Sequence, residues 1–304
     1  MQALRRRGRA RRGDWGRRRF RALGALAAAL ALWPLAAPPG GGAAGARAAG
    51  VLVASVYPAA GARGVMVTSG GWAYCSQVRR LAERAKYTLL CGRYARDGYL
   101  GPGLRARRQL DWGNPAYLSA LASRARKLHG QVGGDLVLVG VSYSGYGVAV
   151  LASKHPELRP NRLIVVDSYL DLLARRLGAS PTHPTAAEID RETGGSPAAL
   201  RARSVSVQGL ARLVRSGTRL DVIWTIAEEE RRFFRGVTCD ATASAGTLAR
   251  LATVLGQPVD AWVTRTRHGQ NLWRNGPAIL AGRNPGMKVV FRPGLPVPAG
   301  ATCG

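Results

Sequence analysis

Leu136-Val-Leu-Val-Gly140-Val-Ser142-Tyr143-Ser144-Gly145-Tyr-Gly147 is the stretch on which the fold turns. Asp135 to Gly140 is a short apolar run with no polar alternation after its first residue, which reads as a strand buried on both faces. Small residues then crowd the chain at Gly140, Ser142, Ser144, Gly145 and Gly147. Such a run lets the backbone turn sharply and lie close against its neighbours, where larger side chains would collide. A helical stretch follows from Gly145 to Lys154, then His155-Pro156-Glu157 and a second buried run, Arg162 to Asp167. Strand, tight turn, helix and strand make one unit of a parallel sheet. The Ser142 hydroxyl is left at the strand's C-terminal end, beside the N–H groups that open a helix.

Upstream, Gly64 to Thr68 predicts a buried strand running into Ser69-Gly70-Gly71, Ser76 to Lys86 has helical spacing, and Tyr87 to Cys91 reads as a strand. A Gly/Arg-rich loop, Gly92 to Gly113, precedes Asn114-Pro115, the N-cap and first residue of a helix whose inner face carries Tyr117, Leu118, Leu121 and Ala125. Downstream the alternation pauses between Ser168 and about Ser216, where short helical patterns are punctuated by Pro181, Pro184 and Gly194-Gly195. It resumes with a strand at Arg219 to Ile226, a helix at Ala241 to Leu255 and a strand at Val259 to Thr264. The order predicts one α/β domain with a mostly parallel sheet covered by helices and a helical lid insertion, about 168–216, over Ser142.

The turn at Ser142 resembles the nucleophile elbow of the α/β-hydrolases, including the His155-Pro156-Glu157 that closes the helix behind it. Ser144 stands where the last glycine of G-x-S-x-G falls. With Gly145 as last member the motif is similar to the G-x-S-x-x-G variant of esterase-D-like hydrolases and mycolyltransferases. By order of elements the resemblance runs from Gly64 to the end of the chain. It implies an α/β-hydrolase fold and a serine hydrolase with Ser142 as nucleophile. The base should follow the last strand. Of His129, His155, His183 and His268, only His268 in Thr264-Arg-Thr-Arg-His268-Gly269 does so. The acid should follow the strand Arg219 to Ile226, and Glu230 of Glu228-Glu229-Glu230 takes its place when Ala227 is laid over the glycine of G-x-x-D; Asp167 is the alternative. Tyr143 and Gly71 are the expected oxyanion-hole N–H donors, with Trp72 next. The reaction so implied is carboxylic ester hydrolysis through an acyl-enzyme, on a small-molecule or lipid ester. Two alternatives stand beside it: a cell-envelope acyltransferase of mycolyltransferase type, and a non-catalytic binding protein on a degenerate hydrolase scaffold. No cofactor or metal is expected, since the chain has no H-E-x-x-H, no P-loop and no G-x-G-x-x-G behind a strand.

Residues 1–48 read as a secretory signal: ten arginines up to Arg21, the apolar run Leu23 to Ala37, and small residues at Ala46-Arg47-Ala48 for cleavage. Arg17-Arg18-Arg19-Phe20 fits the twin-arginine pattern, with simple Sec export as the other reading. The apolar run is too short for a stable membrane span. The expected protein is therefore secreted, periplasmic or held in a bacterial cell envelope, with residues 49–304 as its one domain. The formal charge is +28, and removing residues 1–48 leaves 34 basic against 16 acidic residues, or +18. Only four of the basic residues are lysine, and the arginines are scattered with no basic block or aromatic-basic module, which argues against a nucleic-acid partner. Association with an anionic envelope stays open. Cys75, Cys91, Cys239 and Cys303 form no C-x-x-C pair, so disulfides are expected over metal; of the three pairings four cysteines allow, the local one, Cys75–Cys91 and Cys239–Cys303, is favoured.

Overall fold

A computed structural model describes residues 52–70, 72–94, 111–178, 184–225 and 235–294. The expected export signal lies outside the described residues. Eight strands form one sheet: β1 (Leu52–Tyr57), β2 (Gly64–Thr68), β3 (Thr88–Tyr94), β4 (Asp135–Val141), β5 (Arg162–Val166), β6 (Arg219–Thr225), β7 (Val259–Thr264) and β8 (Met287–Phe291). Their order is β1-β3-β2-β4-β5-β6-β7-β8. The six central strands are parallel, and β1 and β8 pair antiparallel at the two edges. The helices are α1 (Trp72–Ala85), α2 (Pro115–Val132), α3 (Tyr143–Lys154), α4 (Leu172–Gly178), α5 (Pro184–Thr193), α6 (Pro197–Arg203), α7 (Val207–Arg215), α8 (Arg235–Leu255) and α9 (Gln270–Leu280).

Strand side chains alternate between the two faces, so each buried run feeds two cores. Val65, Val67, Leu136, Leu138, Leu163 and Val165 pack with α2, α3 and α8. Met66, Val137, Val139, Val141, Ile164 and Val166 pack instead with Val78 and Leu81 of α1 and Leu272 and Ile279 of α9. This two-sided burial is why the central strands carry no polar alternation. Asn114 caps α2 as expected, accepting the N–H groups of Ala116 and Tyr117 at 3.0 and 3.2 Å. The edge strands β1 and β8 are additions to the sequence reading. Their residues are half-buried or exposed, Val53 at 40% and Met287 at 67%, so neither shows a continuous apolar run.

The stretch expected as an insertion over the serine divides into two parts. Helix α7 is the crossover that adjacent parallel strands β5 and β6 require. It lies on the end of α3: the Ser206 N–H donates to Ser153 Oγ at 3.0 Å, and a Cβ on Gly209 would stand 1.7 Å from the Ser153 carbonyl oxygen. Helices α4 to α6 lie between β5 and α7. Cys75 of α1 and Cys91 of β3 form the expected disulfide, with Cα atoms 5.8 Å apart; the Cys239 side chain and Cys303 lie outside the described residues. Away from the serine, the buried Asp221 accepts from Arg162, from Arg219 Nε at 3.1 Å and from Asn284 Nδ2 at 2.6 Å. Arg162 and Arg219 also reach the carbonyls of Leu280 and Gly282, which ties the segment after α9 to β5 and β6.

Candidate active site

Ser142 occupies the one-residue turn between β4 and α3 at φ 56°, ψ −129°. A left-handed backbone at a residue with a side chain costs on the order of 1–3 kcal/mol and persists only where its surroundings force it. They do so here by close approach. A Cβ on Gly140 would lie 2.3 Å from the Ser144 carbonyl oxygen, and one on Gly147 would lie 2.0 Å from Ser69 Oγ. Glycine at those positions lets α3 rise directly from the strand and press against the turn after β2. Ser144, where glycine was expected, is fully buried and its Oγ accepts the Val141 N–H at 2.9 Å. The hydroxyl thus closes the strand end by a bond that glycine lacks. Ser142 itself is half-buried, and its N–H donates to the Val166 carbonyl at 2.8 Å.

His268 lies in the loop between β7 and α9, half-buried, with Nδ1 out of solvent contact. The next residue, Gly269, is left-handed at φ 74°, and a Cβ there would stand 3.7 Å from Cγ2 of Val141, the residue before Ser142. The fold therefore brings the His268 loop to the end of the serine's own strand. Asp167 at the end of β5 fixes that loop: its Oδ2 accepts the Gly269 N–H at 2.7 Å. Asp167 is fully buried at φ 49°, a conformation aspartate tolerates better than most residues. Burial raises its carboxyl to about 6, against the Gly269 N–H and the hydroxyl and N–H of Thr225, which favour the charged form. Its Oδ1 makes no hydrogen bond of good geometry among the described residues. Beneath the loop, Asn271 Nδ2 donates to Thr225 Oγ1 at 3.1 Å and Thr264 Oγ1 at 2.8 Å, which anchors α9 to the ends of β6 and β7.

A serine in a left-handed strand-to-helix turn after a central parallel strand, with the loop after β7 reaching the end of that strand, decides the architecture. The chain has the α/β-hydrolase fold. Solved structures similar to this chain include an acetyl xylan esterase from Paenibacillus sp. R4, 14% identical, with a TM-score of 0.44 over 76% of this chain and 78% of that one. A Pyrococcus furiosus esterase is 14% identical at a TM-score of 0.38, over 83% and 95% of the two chains. A proline iminopeptidase of Mycobacterium smegmatis is 13% identical at 0.38, over 76% and 93%. No family model matches the sequence, and no curated protein matches it. The sheet order and the turn at Ser142 define the fold.

Of the residues singled out in the sequence, Ser142, Tyr143 and His268 come to one end of the sheet. Gly71 and Glu230 lie outside the described residues. Gly70, next to Gly71, packs on the start of α3: a Cβ there would be 3.1 Å from Tyr143 Cδ1 and 3.2 Å from Ser144 Cβ. His268 also lines an open cleft with Gln77, Gln270, Trp273 and Arg274. The side chain of Tyr143 turns inward, and its phenol donates to the carboxylate of Asp111. Burial pushes Asp111 up to about 6, opposed by hydrogen bonds from Tyr143 and Gly113; Tyr143 is raised well above its ordinary value by burial and by Asp111. Asp111 and Asn271 were missed as partners in the sequence. The turn signature Asp111-Trp-Gly-Asn-Pro115 was the available sign of a fixed loop there. Among the described residues no group of three His, Cys, Asp or Glu could hold a metal ion, and no helix is long and apolar enough to cross a membrane.

Proposed function

We propose that the protein is a serine hydrolase that cleaves carboxylic esters through an acyl-enzyme on Ser142. The observation that carries this reading is the left-handed turn at Ser142, set against a His268 loop that Asp167 holds at the end of the same strand. In this reading His268 removes the Ser142 proton as the hydroxyl attacks the ester carbonyl. It then returns the proton to the departing alcohol, and water resolves the acyl-enzyme by the same route. The Tyr143 N–H, with one from the turn after β2, stabilises the oxyanion. Asp167 takes the acid's part because its carboxylate is tied to the His268 loop, whereas Glu230 is the acid expected from chain order. Export is supported by the Cys75–Cys91 disulfide, since such bonds persist in oxidising compartments.

The test is labelling by a fluorophosphonate and turnover of short-chain p-nitrophenyl esters. The wild-type protein should react with both, and Ser142→Ala and His268→Ala should lose turnover by about a thousandfold or more while keeping the native melting transition. A Ser142→Ala variant that still labels, or that keeps about a tenth of wild-type turnover, rules the reading out.

A further inference from the structure

Resting on that reading, we propose that Asp111 is a positioning residue for the oxyanion site: its buried carboxylate holds the Tyr143 phenol and so fixes the Tyr143 N–H beside Ser142. Asp111 is 2% exposed and accepts the Gly113 N–H at 2.8 Å together with the Tyr143 hydroxyl. The phenol is held at two points, because it also accepts the Trp112 N–H at 3.1 Å. The loop that presents these groups is itself left-handed, Trp112 at φ 43° and Gly113 at φ 74°. Arg203 clamps it from α6, its Nη1 donating to the carbonyls of Asp111 and Trp112 at 3.3 and 3.5 Å.

Burying a carboxylate is costly, and a Phe–Leu pair would fill the same space without that cost. The ring of Tyr143 already has apolar neighbours, with Trp112 edge-on at 5.1 Å and Tyr74 and Tyr146 at 6.1 Å. What the carboxylate adds is direction. Tyr143 follows a residue in a strained conformation, and an anchored phenol leaves its ring, its Cα and hence its N–H one position relative to Ser142. An oxyanion donor is effective in proportion to how well it is fixed before charge develops. The phenol of Tyr143 is raised by burial and by the Asp111 charge, and its bond opposes the rise that burial imposes on the Asp111 carboxyl, as a phenol donating to a buried carboxylate should.

The experiment compares the full chain with Tyr143→Phe, Asp111→Ala, Asp111→Asn and, as a control, Tyr146→Phe. The control loses a buried phenol bond of the same aromatic cluster, to the Arg203 carbonyl at 2.8 Å. kcat and KM are measured on a short-chain ester, beside the affinity for a trifluoromethyl ketone that mimics the tetrahedral intermediate. Tyr143→Phe and Asp111→Ala should lower kcat by about 10- to 100-fold, less than loss of a whole oxyanion donor, with KM held within about twofold. They should weaken ketone binding by the same factor. Asp111→Asn, which keeps an acceptor and the loop's shape, should recover most of the loss, and Tyr146→Phe should leave kcat and ketone affinity near wild type. Unchanged kcat in folded Tyr143→Phe overturns the proposal, as does an equal loss in Tyr146→Phe. A wild type that labels with fluorophosphonate while its variants match it refutes only the role of Asp111. A wild type that does not label overturns the serine-hydrolase reading as well.

Discussion

Asparagine in place of Asp167 should weaken catalysis and strengthen the fold in the same variant. The carboxyl rises from 3.8 to about 6 on burial. At ~1.4 kcal/mol for each tenfold in the protonation equilibrium, the ionised carboxylate costs the folded state about 3 kcal/mol at neutral pH. The sign follows from proton counting. Between pH 3.8 and about 6 the folded chain holds a proton that the unfolded chain has lost, so stability falls as pH rises through that window. Asparagine keeps an acceptor for the Gly269 N–H, now at 2.7 Å, and gives up only the charge on it, worth about 1 kcal/mol. The net gain is about 2 kcal/mol near neutrality, or a melting temperature higher by roughly 5 °C, and it should vanish near pH 4. Turnover should fall by about 10⁴, the effect of neutralising a triad acid. Melts at neutral and acid pH and ester turnover would be measured beside Glu228→Gln, Glu229→Gln and Glu230→Gln. Unchanged turnover in Asp167→Asn with collapse in Glu230→Gln moves the acid to the loop after β6. A variant less stable than wild type at neutral pH refutes the burial argument.

Gly147→Ala should destabilise by about 1–3 kcal/mol, since its Cβ would meet Ser69 Oγ at 2.0 Å. Ser69→Ala should rescue most of that loss, because the remaining contact to Ser69 Cβ is 3.3 Å and the removed Oγ is buried without a hydrogen-bond partner among the described residues; additive effects in the double-variant melt would contradict the clash. Asp221→Ala should cost about 3–5 kcal/mol, leaving Arg162 buried without its anion, and a melting loss of only a degree or two would show the network to be incidental. Serine at both Cys75 and Cys91 should cost about 3 kcal/mol, and a non-reducing peptide map lacking the linked pair would exclude the bridge.

The turn at Ser142 was legible because close approach limits its residues to glycine and serine, and a sequence records such limits directly. The central strands were legible because burial on both faces removes polar residues. The place of His268 in the loop after β7 was legible from chain order alone. The long-range side-chain pairs left no comparable trace. Asp167 reads as an ordinary strand-ending aspartate until Gly269, 102 residues on, is placed beside it, and Asp111 until Tyr143, 32 residues on, meets its carboxylate. Polar side chains that find their partners only in three dimensions have no period. Helix α7 was read as part of a lid for a related reason, since a crossover helix and an insertion helix share one amphipathic pattern and differ only in what they cover.

The hydrogen bond from Gly269 to Asp167 joins residues 102 apart in the chain. Strand β4 carries Ser142 early in the chain, but the loop bearing His268 reaches it only after β6, α8 and β7 have been made and added in register. In the proposed reading, the nucleophile is therefore synthesised well before the base that must meet it across the sheet. Reactivity in that reading depends on strands from the last third of the domain, and a chain cut short before β7 should not label with a fluorophosphonate.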